Sequence, residues 1–321
     1  PSHFRPRGHS LRRVGTPPLC FAGAAEPVTL LDDPDPESGK WIESVWRAPD
    51  GRLYGWCHRE RWAPCPSRVM IYGVGALVSD DDGRTWRHLG ILLEPRAEEI
   101  DCTFDNGWFA GGYGDFTVVP DPSGTHFLLH LTSYHAADER QGIIVARYPI
   151  AARDRPTDAV EWWTAAGWRP RHAAPPLPLV RPRRGWRHPD PDAHWGPAVH
   201  RNGDAGCWVM LLNHTWAGHY DLVQRGIAVA FSRDPGDPAG WSPPRPLIDG
   251  GIWYPQAVAP AGSDREGSGA LRFFVSGFSL WEIRFRPGPA PQGTAIARAT
   301  ITEAEIARHF GPRRPDGGFG A

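Results

Sequence analysis

Trp41-Ile-Glu-Ser-Val-Trp46, Ala48-Pro-Asp-Gly51 and Leu53-Tyr-Gly-Trp-Cys-His58 follow one another directly and read as a strand, a tight turn and a returning strand. The same grammar recurs at Gly114-Asp-Phe-Thr-Val-Val119, with the turn Asp121-Pro-Ser-Gly124 and the strand His126-Phe-Leu-Leu-His-Leu131. A third copy runs Trp195-Gly-Pro-Ala-Val-His200, Arg201-Asn-Gly-Asp204, Trp208-Val-Met-Leu-Leu-Asn213. A fourth goes from Trp253-Tyr-Pro-Gln-Ala-Val258 to Leu271-Arg-Phe-Phe-Val275 across a longer loop.

Outer strands follow each hairpin. Gly75-Ala-Leu-Val-Ser79 matches Gly226-Ile-Ala-Val-Ala-Phe-Ser232, while Gln141-Gly-Ile-Ile-Val-Ala146 and Leu280-Trp-Glu-Ile-Arg-Phe285 serve the second and fourth units. Val45 and Val199 lie 154 positions apart and Ser79 and Ser232 lie 153 apart, so two units lying two blades apart keep step from Val45 to Ser79. A repeat the length of a four-stranded unit is the signature of a propeller. The remaining strand candidates, Pro27-Val-Thr-Leu-Leu31 and Thr294-Ala-Ile-Ala-Arg-Ala-Thr300, lie at the two ends, and joining them in one blade would close the ring and protect its edges. The expected fold is therefore all-β: a single five-bladed β-propeller over 1–321, with blades near 41–100, 101–180, 188–249 and 250–290 and a shared terminal blade from 11–35 plus 292–301. Four blades are the competing count. Trp86, Trp168 and Trp241 follow the third strands and are expected to pack between blades, and a short helix is expected at 302–309, opened by a Thr302 cap.

Composition agrees with many short strands. The 37 Gly, 35 Pro and 16 Trp favour turns and aromatic packing over long helices. A net charge of -1 gives no electrostatic footing for nucleic acid, and Arg181-Pro-Arg-Arg184 reads as a solvated loop among prolines. No apolar run approaches the ~18 residues of a membrane span. Many Arg beside the single Lys40 suggest a high-GC bacterial source. The chain opens on Pro1 without Met, which leaves room for a removed start or targeting segment; a secreted or periplasmic location is favoured over a cytoplasmic one. The five cysteines contain no C-x-x-C pair and argue against a zinc ribbon or a disulfide scaffold; buried free thiols are expected, Cys57 to Cys65 being the one conceivable bridge. Gly-x-Ser-x-Gly, Walker and dinucleotide fingerprints are all missing, so serine-hydrolase and nucleotide chemistry find no support.

In a propeller, inner strands start near the axis on the face where the pocket opens, and second strands return to it. Inner-strand starts nominate Glu43, Asp115, His194, Trp195, Tyr254 and Gln256; second-strand ends nominate His58, Glu60, Tyr134, His135, Asn213 and His214. Asp101 and Asp105 lie in the loop entering the second blade and could reach the rim. Glycoside cleavage needs one carboxyl group to protonate the leaving oxygen and one carboxylate to attack or to activate water. Glu43, Asp115 and Glu60 are the acids best placed for those roles, with His58, Asp105, Tyr134, His194, Trp195, Asn213, Tyr254 and Gln256 as substrate contacts. The bland alternatives are an ion pair with Arg for Glu43, a turn cap for Asp115 and a loop charge for Glu60. Trp195, Tyr254 and Trp108 could form a platform for a sugar ring.

Ser79-Asp-Asp-Asp-Gly-Arg-Thr-Trp86 resembles the Asp-box of sialidases and other propeller glycosidases, and Ser232-Arg-Asp-Pro-Gly236 with Trp241 is a degenerate copy. In those families it is a folding device away from the active centre, so it bears on fold more than on chemistry. The blade count and the acids at inner-strand starts also resemble glycoside hydrolase family 43. That resemblance implies a glycosidase, inverting by analogy, acting on a poly- or oligosaccharide, with no required cofactor and room for a structural calcium or other divalent ion. The family places acids on three successive blades; here the first two offer Glu43 and Asp115 and the third offers Pro197, so the general acid is left open. Alternatives are a carbohydrate-binding propeller without catalysis, or a metal-assisted lyase or phosphorylase. His188-Pro-Asp-Pro-Asp-Ala-His194 alternates metal-ligand types, but its prolines make a plain loop the stronger reading. Oligomeric state stays open.

Overall fold

The computed structural model describes residues 10–12, 26–67, 69–104, 106–216, 224–250, 253–276, 278–285 and 300–301. The expected helix at 302–309 lies outside them, as does most of 292–301.

Among the described residues the chain is all-β, and it runs as consecutive antiparallel meanders. The first sheet comprises Gly39–Arg47, Leu53–Trp62, Met70–Ser79 and Thr85–Leu93. The second comprises Phe109–Pro120, His126–Ser133, Gly142–Pro149 and Glu161–Thr164, with Gly167–Pro170 added at its edge, and it joins the first where Met70, Ile71 and Tyr72 pair in parallel with Phe109, Gly111 and Gly112. Asp192–Asn202, Cys207–Trp216, Gln224–Ser232 and Arg245–Gly250 form the third, and Gln256–Val258, Leu271–Val275 and Phe278–Ile283 the fourth. All four quoted hairpins thus fall on paired strands.

Period-two alternation explains how the sheets stack. On His126–Ser133, Phe127, Leu129 and Leu131 pack with Trp56, Val74 and Tyr148 against the first sheet. Leu128, from the opposite face, packs with Met210, Leu212 and Trp241 against the third. Likewise Val209 and Leu211 turn toward Leu271 and Phe273 of the fourth. The second and third sheets are therefore buried on both faces, and each large apolar side chain so enclosed contributes roughly 1.5–3 kcal/mol. Trp241 sits in the core between the second and third sheets with Trp168 at its margin, whereas Trp86 covers Leu53 and Leu77 at the outer side of the first.

The innermost strands are tied directly to one another. Val118 N donates to Ser44 Oγ at 2.9 Å, and Thr117 Oγ1 donates to the Pro197 carbonyl at 2.6 Å. The turn within 79–86 closes as its residues dictate: Asp81 Oδ1 accepts from Thr85 N at 2.9 Å and Trp86 Nε1 donates to the Gly83 carbonyl at 3.0 Å.

Two expectations meet a different arrangement. Thr29–Leu30 pairs in parallel with Thr85–Trp86 at the outer edge of the first sheet, and Thr300–Ile301 pairs in parallel with Asp249–Gly250 of the third. The described terminal strands therefore extend sheets already built. Second, Cys65 bonds to Cys102, with Cα atoms 5.3 Å apart, which corrects the free-thiol expectation for these two and the Cys57 to Cys65 pairing, while Cys57 and Cys207 are free thiols. Cys57 lies on a strand with its side chain buried, while Cys65 and Cys102 occupy two loops that converge only in the fold.

Candidate active site

One local irregularity recurs in three inner strands and aims the site. In the first sheet the register breaks between Ile42 and Ser44, leaving Glu43 as the extra residue. In the second it breaks between Gly114 and Phe116, leaving Asp115 at φ +44°. In the third it breaks between Trp195 and Ala198, leaving Gly196 and Pro197, with Gly196 at φ +59°. A bulge bends its strand and redirects one side chain. Here it turns Glu43 and Asp115 toward a common centre, while the third bulge has no side chain able to ionise.

His58 is the hub between these acids. Its Nδ1 lies 3.2 Å from Glu43 Oε1 and 3.7 Å from Asp115 Oδ1, and its Nε2 lies 3.7 Å from Glu60 Oε1. Glu60 reaches the cluster because it is two residues beyond His58 on the same strand and so shares its face. Gly114 makes room for the imidazole: a Cβ there would lie 2.6 Å from His58 Cε1. Trp41 and Tyr72 meet the ring edge-on at centroid distances of 6.0 and 5.0 Å.

Burial opposes charge on the imidazole, but Asp115, Glu43 and Glu60 outweigh it and hold the His58 pKa up at about 9. The Asp115 amide also points at Nδ1 from 3.1 Å, a contact that requires a neutral imidazole. Three surrounding carboxylates favour the cation, in which Nδ1–H is directed at Glu43. Burial raises the Glu60 carboxyl to about 7 against the pull of His58, with Asp115 and Glu43 adding like-charge repulsion. Burial also lifts Glu43, opposed by its hydrogen bond to His58 and by the Phe116 amide that donates to Oε2 at 2.8 Å.

Asp115 is held from two other strands. Tyr134 Oη donates to Oδ2, and Tyr254 Oη donates to Oδ1 at 3.2 Å. Burial, and next the Asp115 charge, push both phenols well above their usual range, so they remain donors. Tyr254 exposes 46% of its surface, yet its hydroxyl is turned inward onto the carboxylate.

These groups line a cavity of about 380 Å³ walled by Trp41, Tyr72, Trp108, Phe109, Trp195 and Trp253. A smaller cavity of about 180 Å³ lies behind Glu43, Asp115 and Tyr254 and is bounded by Thr117, Ala198 and Gln256. Of the expected contacts, His58, Tyr134, Trp195 and Tyr254 line the main cavity together with all three acids. Gln256 corrects to the smaller one, where its amide donates to Asp264 at 3.2 Å. Asn213 corrects to a buried brace: its amide nitrogen donates to the Trp195 carbonyl at 3.2 Å and its oxygen accepts from Tyr254 N at 3.0 Å. His194 points to the opposite face of its strand and stacks on His214 at 4.4 Å. Asp105 lies outside the described residues. The reading missed Tyr72 and Trp253, although Trp253 adjoins Tyr254 and Tyr72 stands near the start of a third strand, where the chain again passes the pocket face.

The His188 loop gathers no shared centre. Asp190 pairs with Arg184, His214 lies 2.7 Å from Asp192, and His188 lies 3.8 Å from Asp138. Glu43, His58 and Asp115 bring one ligand atom each within 4.8 Å of one another. They do not suit calcium, which takes six to eight oxygen ligands. Three of the four carboxylate oxygens here already accept from Phe116, Tyr134 and Tyr254, and the fourth faces His58.

No family model matches the chain. Human sialidase-4 is 25% identical over 237 residues, which is 58% of this chain and 48% of that protein, so the match spans about half the length of the curated relative. The arabinanase of Bacillus subtilis aligns over 84% of this chain and 89% of its own with a TM-score of 0.45 and 12% identity. An exo-1,5-α-L-arabinanase from a bovine ruminal metagenomic library aligns over 83% and 86%, with a TM-score of 0.48 and 12% identity. A family 117 glycoside hydrolase of Zobellia galactanivorans aligns over 88% and 78%, with a TM-score of 0.43 and 10% identity. These structural neighbours are glycoside hydrolases by name, the class that the sequence resemblance implies. At such scores the fold rests on the strand pairing and not on the likeness.

Proposed function

We propose that the chain is a five-bladed propeller glycoside hydrolase in which Glu60 acts as the general acid and Asp115 as the carboxylate that attacks or activates water. The observation that carries this reading is the pair of unlike acids in one aromatic cavity. Glu60 is lifted to about 7 by burial, whereas Asp115 accepts from Tyr134 and Tyr254 and donates to nothing. Two carboxyl groups driven to different roles by their surroundings are what glycosidic cleavage requires. Glu60 also supplies the acid that the third bulge lacks. Glu43 and His58 orient the pair. A secreted or periplasmic location belongs to the same proposal and is supported by the Cys65–Cys102 bond, because disulfides persist in oxidising compartments.

The test is a product screen on arabinans, xylans, galactans and aryl glycosides, with the wild type run beside Glu60→Gln, Asp115→Asn and Glu43→Gln. Arabinans belong in the panel because two of the neighbouring structures are arabinanases. Hydrolysis lowered by orders of magnitude in Glu60→Gln and Asp115→Asn supports the assignment. Folded wild-type protein that binds sugar and cleaves none of the panel would replace it with a carbohydrate-binding propeller.

A further inference from the structure

The main cavity has an unbalanced charge inventory. Three carboxylates face it, Glu43, Glu60 and Asp115, against one imidazole, and among the described residues no Lys or Arg lines it. A carboxylate inside an apolar wall is costly unless a cation or hydrogen-bond donors meet it. Asp115 has its two tyrosines and Glu43 has His58 and the Phe116 amide. Glu60, once ionised, has among the described residues only His58 Nε2, which at 3.7 Å is beyond hydrogen-bond reach and is itself buried without a hydrogen-bond partner. The rest of the wall includes Trp41, Trp108, Trp195 and Trp253. Trp195 and Trp253 meet nearly edge to face at 5.8 Å, and Trp108 and Trp253 do so at 6.1 Å, which makes a box of indoles instead of one flat platform.

Indole faces attract cations, most strongly where water is excluded, and carboxylates do so directly. Anionic sugars are held by Arg and Lys, of which the described residues of this wall include none. We infer that the pocket selects its ligand by charge: a sugar ring carrying a free ammonium group is preferred over its hydroxyl counterpart, and rings carrying carboxylate, sulfate or phosphate are refused. The inference rests on the carbohydrate reading above and narrows it to amino sugars. It also sets the site apart from one built for an acidic sugar.

Binding without turnover tests it. Affinities of the wild type for galactosamine, galactose and galacturonate, and for the matching glucose series, are measured by calorimetry at pH 7 and low salt. The expected order is amine at least tenfold tighter than hydroxyl, with no measurable binding of the uronate. In Glu60→Gln, checked for native near-ultraviolet circular dichroism, the ratio of amine to neutral-ring affinity shrinks severalfold. A preference untouched by Glu60→Gln overturns the role of Glu60. Uronate binding as tight as the neutral ring, an amine no tighter than the hydroxyl, or no binding across the series overturns the inference as a whole. Charge-ordered binding with no hydrolysis in the product screen defeats only the hydrolase assignment; hydrolysis of neutral glycosides with no amine preference defeats only this inference.

Discussion

His58 and Glu43 form a buried charge pair at the axis, with Nδ1 and Oε1 3.2 Å apart, each brought there by a different device. Glu43 arrives on a bulge, and His58 arrives by filling the space that Gly114 leaves. Removing one member of such a pair strands the other charge in a poor solvent.

Stability should therefore depend on pH in a stated direction. The His58 pKa is raised from 6.5 to about 9, so its contribution is fully present below 6.5 and is lost as pH rises through 9. That difference is worth about 3 kcal/mol. Glu60 is raised from 4.5 to about 7, so its protonated form favours the fold below 4.5 and that advantage is lost as pH rises through 7. Both push the same way. Buried neutral His130, His194 and His200, held at about 4, oppose this below pH 6.5, so urea unfolding should show stability falling from pH 6.5 to pH 9, and His58→Gln should flatten that fall. A wild-type profile that rises over this range would contradict the charge assignment.

If Glu60 is the proton donor, kcat should fall as pH rises past about 7. Glu60→Gln should lower kcat by roughly 10²–10⁴-fold on substrates with poor leaving groups. It should abolish the alkaline limb and largely spare dinitrophenyl glycosides, whose leaving oxygen needs no proton. An unchanged limb in Glu60→Gln would move the acid elsewhere.

Gly114→Ala places a Cβ 2.6 Å from His58 Cε1 and must displace the imidazole. Overpacking of this kind costs roughly 1–3 kcal/mol. The expected result is a folded protein of slightly lower Tm, with kcat reduced more than tenfold and the pH dependence of stability between 6.5 and 9 weakened. Wild-type kinetics in Gly114→Ala would show that His58 does not need its present position.

The Cys65–Cys102 bond closes a loop with a sequence separation of 37 and ties the turn after Leu53–Trp62 to the segment leading to Trp108. Loop entropy sets its contribution at up to about 4 kcal/mol. Reduction, or Cys65→Ser with Cys102→Ser, should lower Tm and raise KM more than it changes kcat, because Trp108 lies at the cavity wall. Equal Tm values with and without reductant would show the loops to be held without it.

Much of the site was legible, for reasons that differ by residue. Glu43, Asp115, His58, Glu60, Tyr134, Trp195 and Tyr254 were reached by counting from turn signals, and all line the cavity, although Glu43 and Asp115 sit at bulges in mid-strand. The same rule sent His194 and Asn213 there as well, and it failed because side chains alternate and each bulge resets which face follows. His194 faces away, and Asn213 braces the backbone of Trp195 and Tyr254. Tyr72 was missed because Met70–Ser79 is apolar and buried throughout, so nothing in its pattern marks the residue that meets the ligand space.

The sequence alone determined the hairpins, their repeat and the all-β class, because turn chemistry and alternation act between near neighbours along the chain. It also placed the acids at the ends of inner and second strands. Which acid would carry a proton near neutral pH, which cysteines would bond and which phenols would meet Asp115 were decided only in the folded molecule. Tyr254 and Asp115 are 139 positions apart, and the Glu60 carboxyl is lifted by burial first and then by charges on two other strands. Desolvation and Coulomb energies depend on distances that exist only after the sheets have packed.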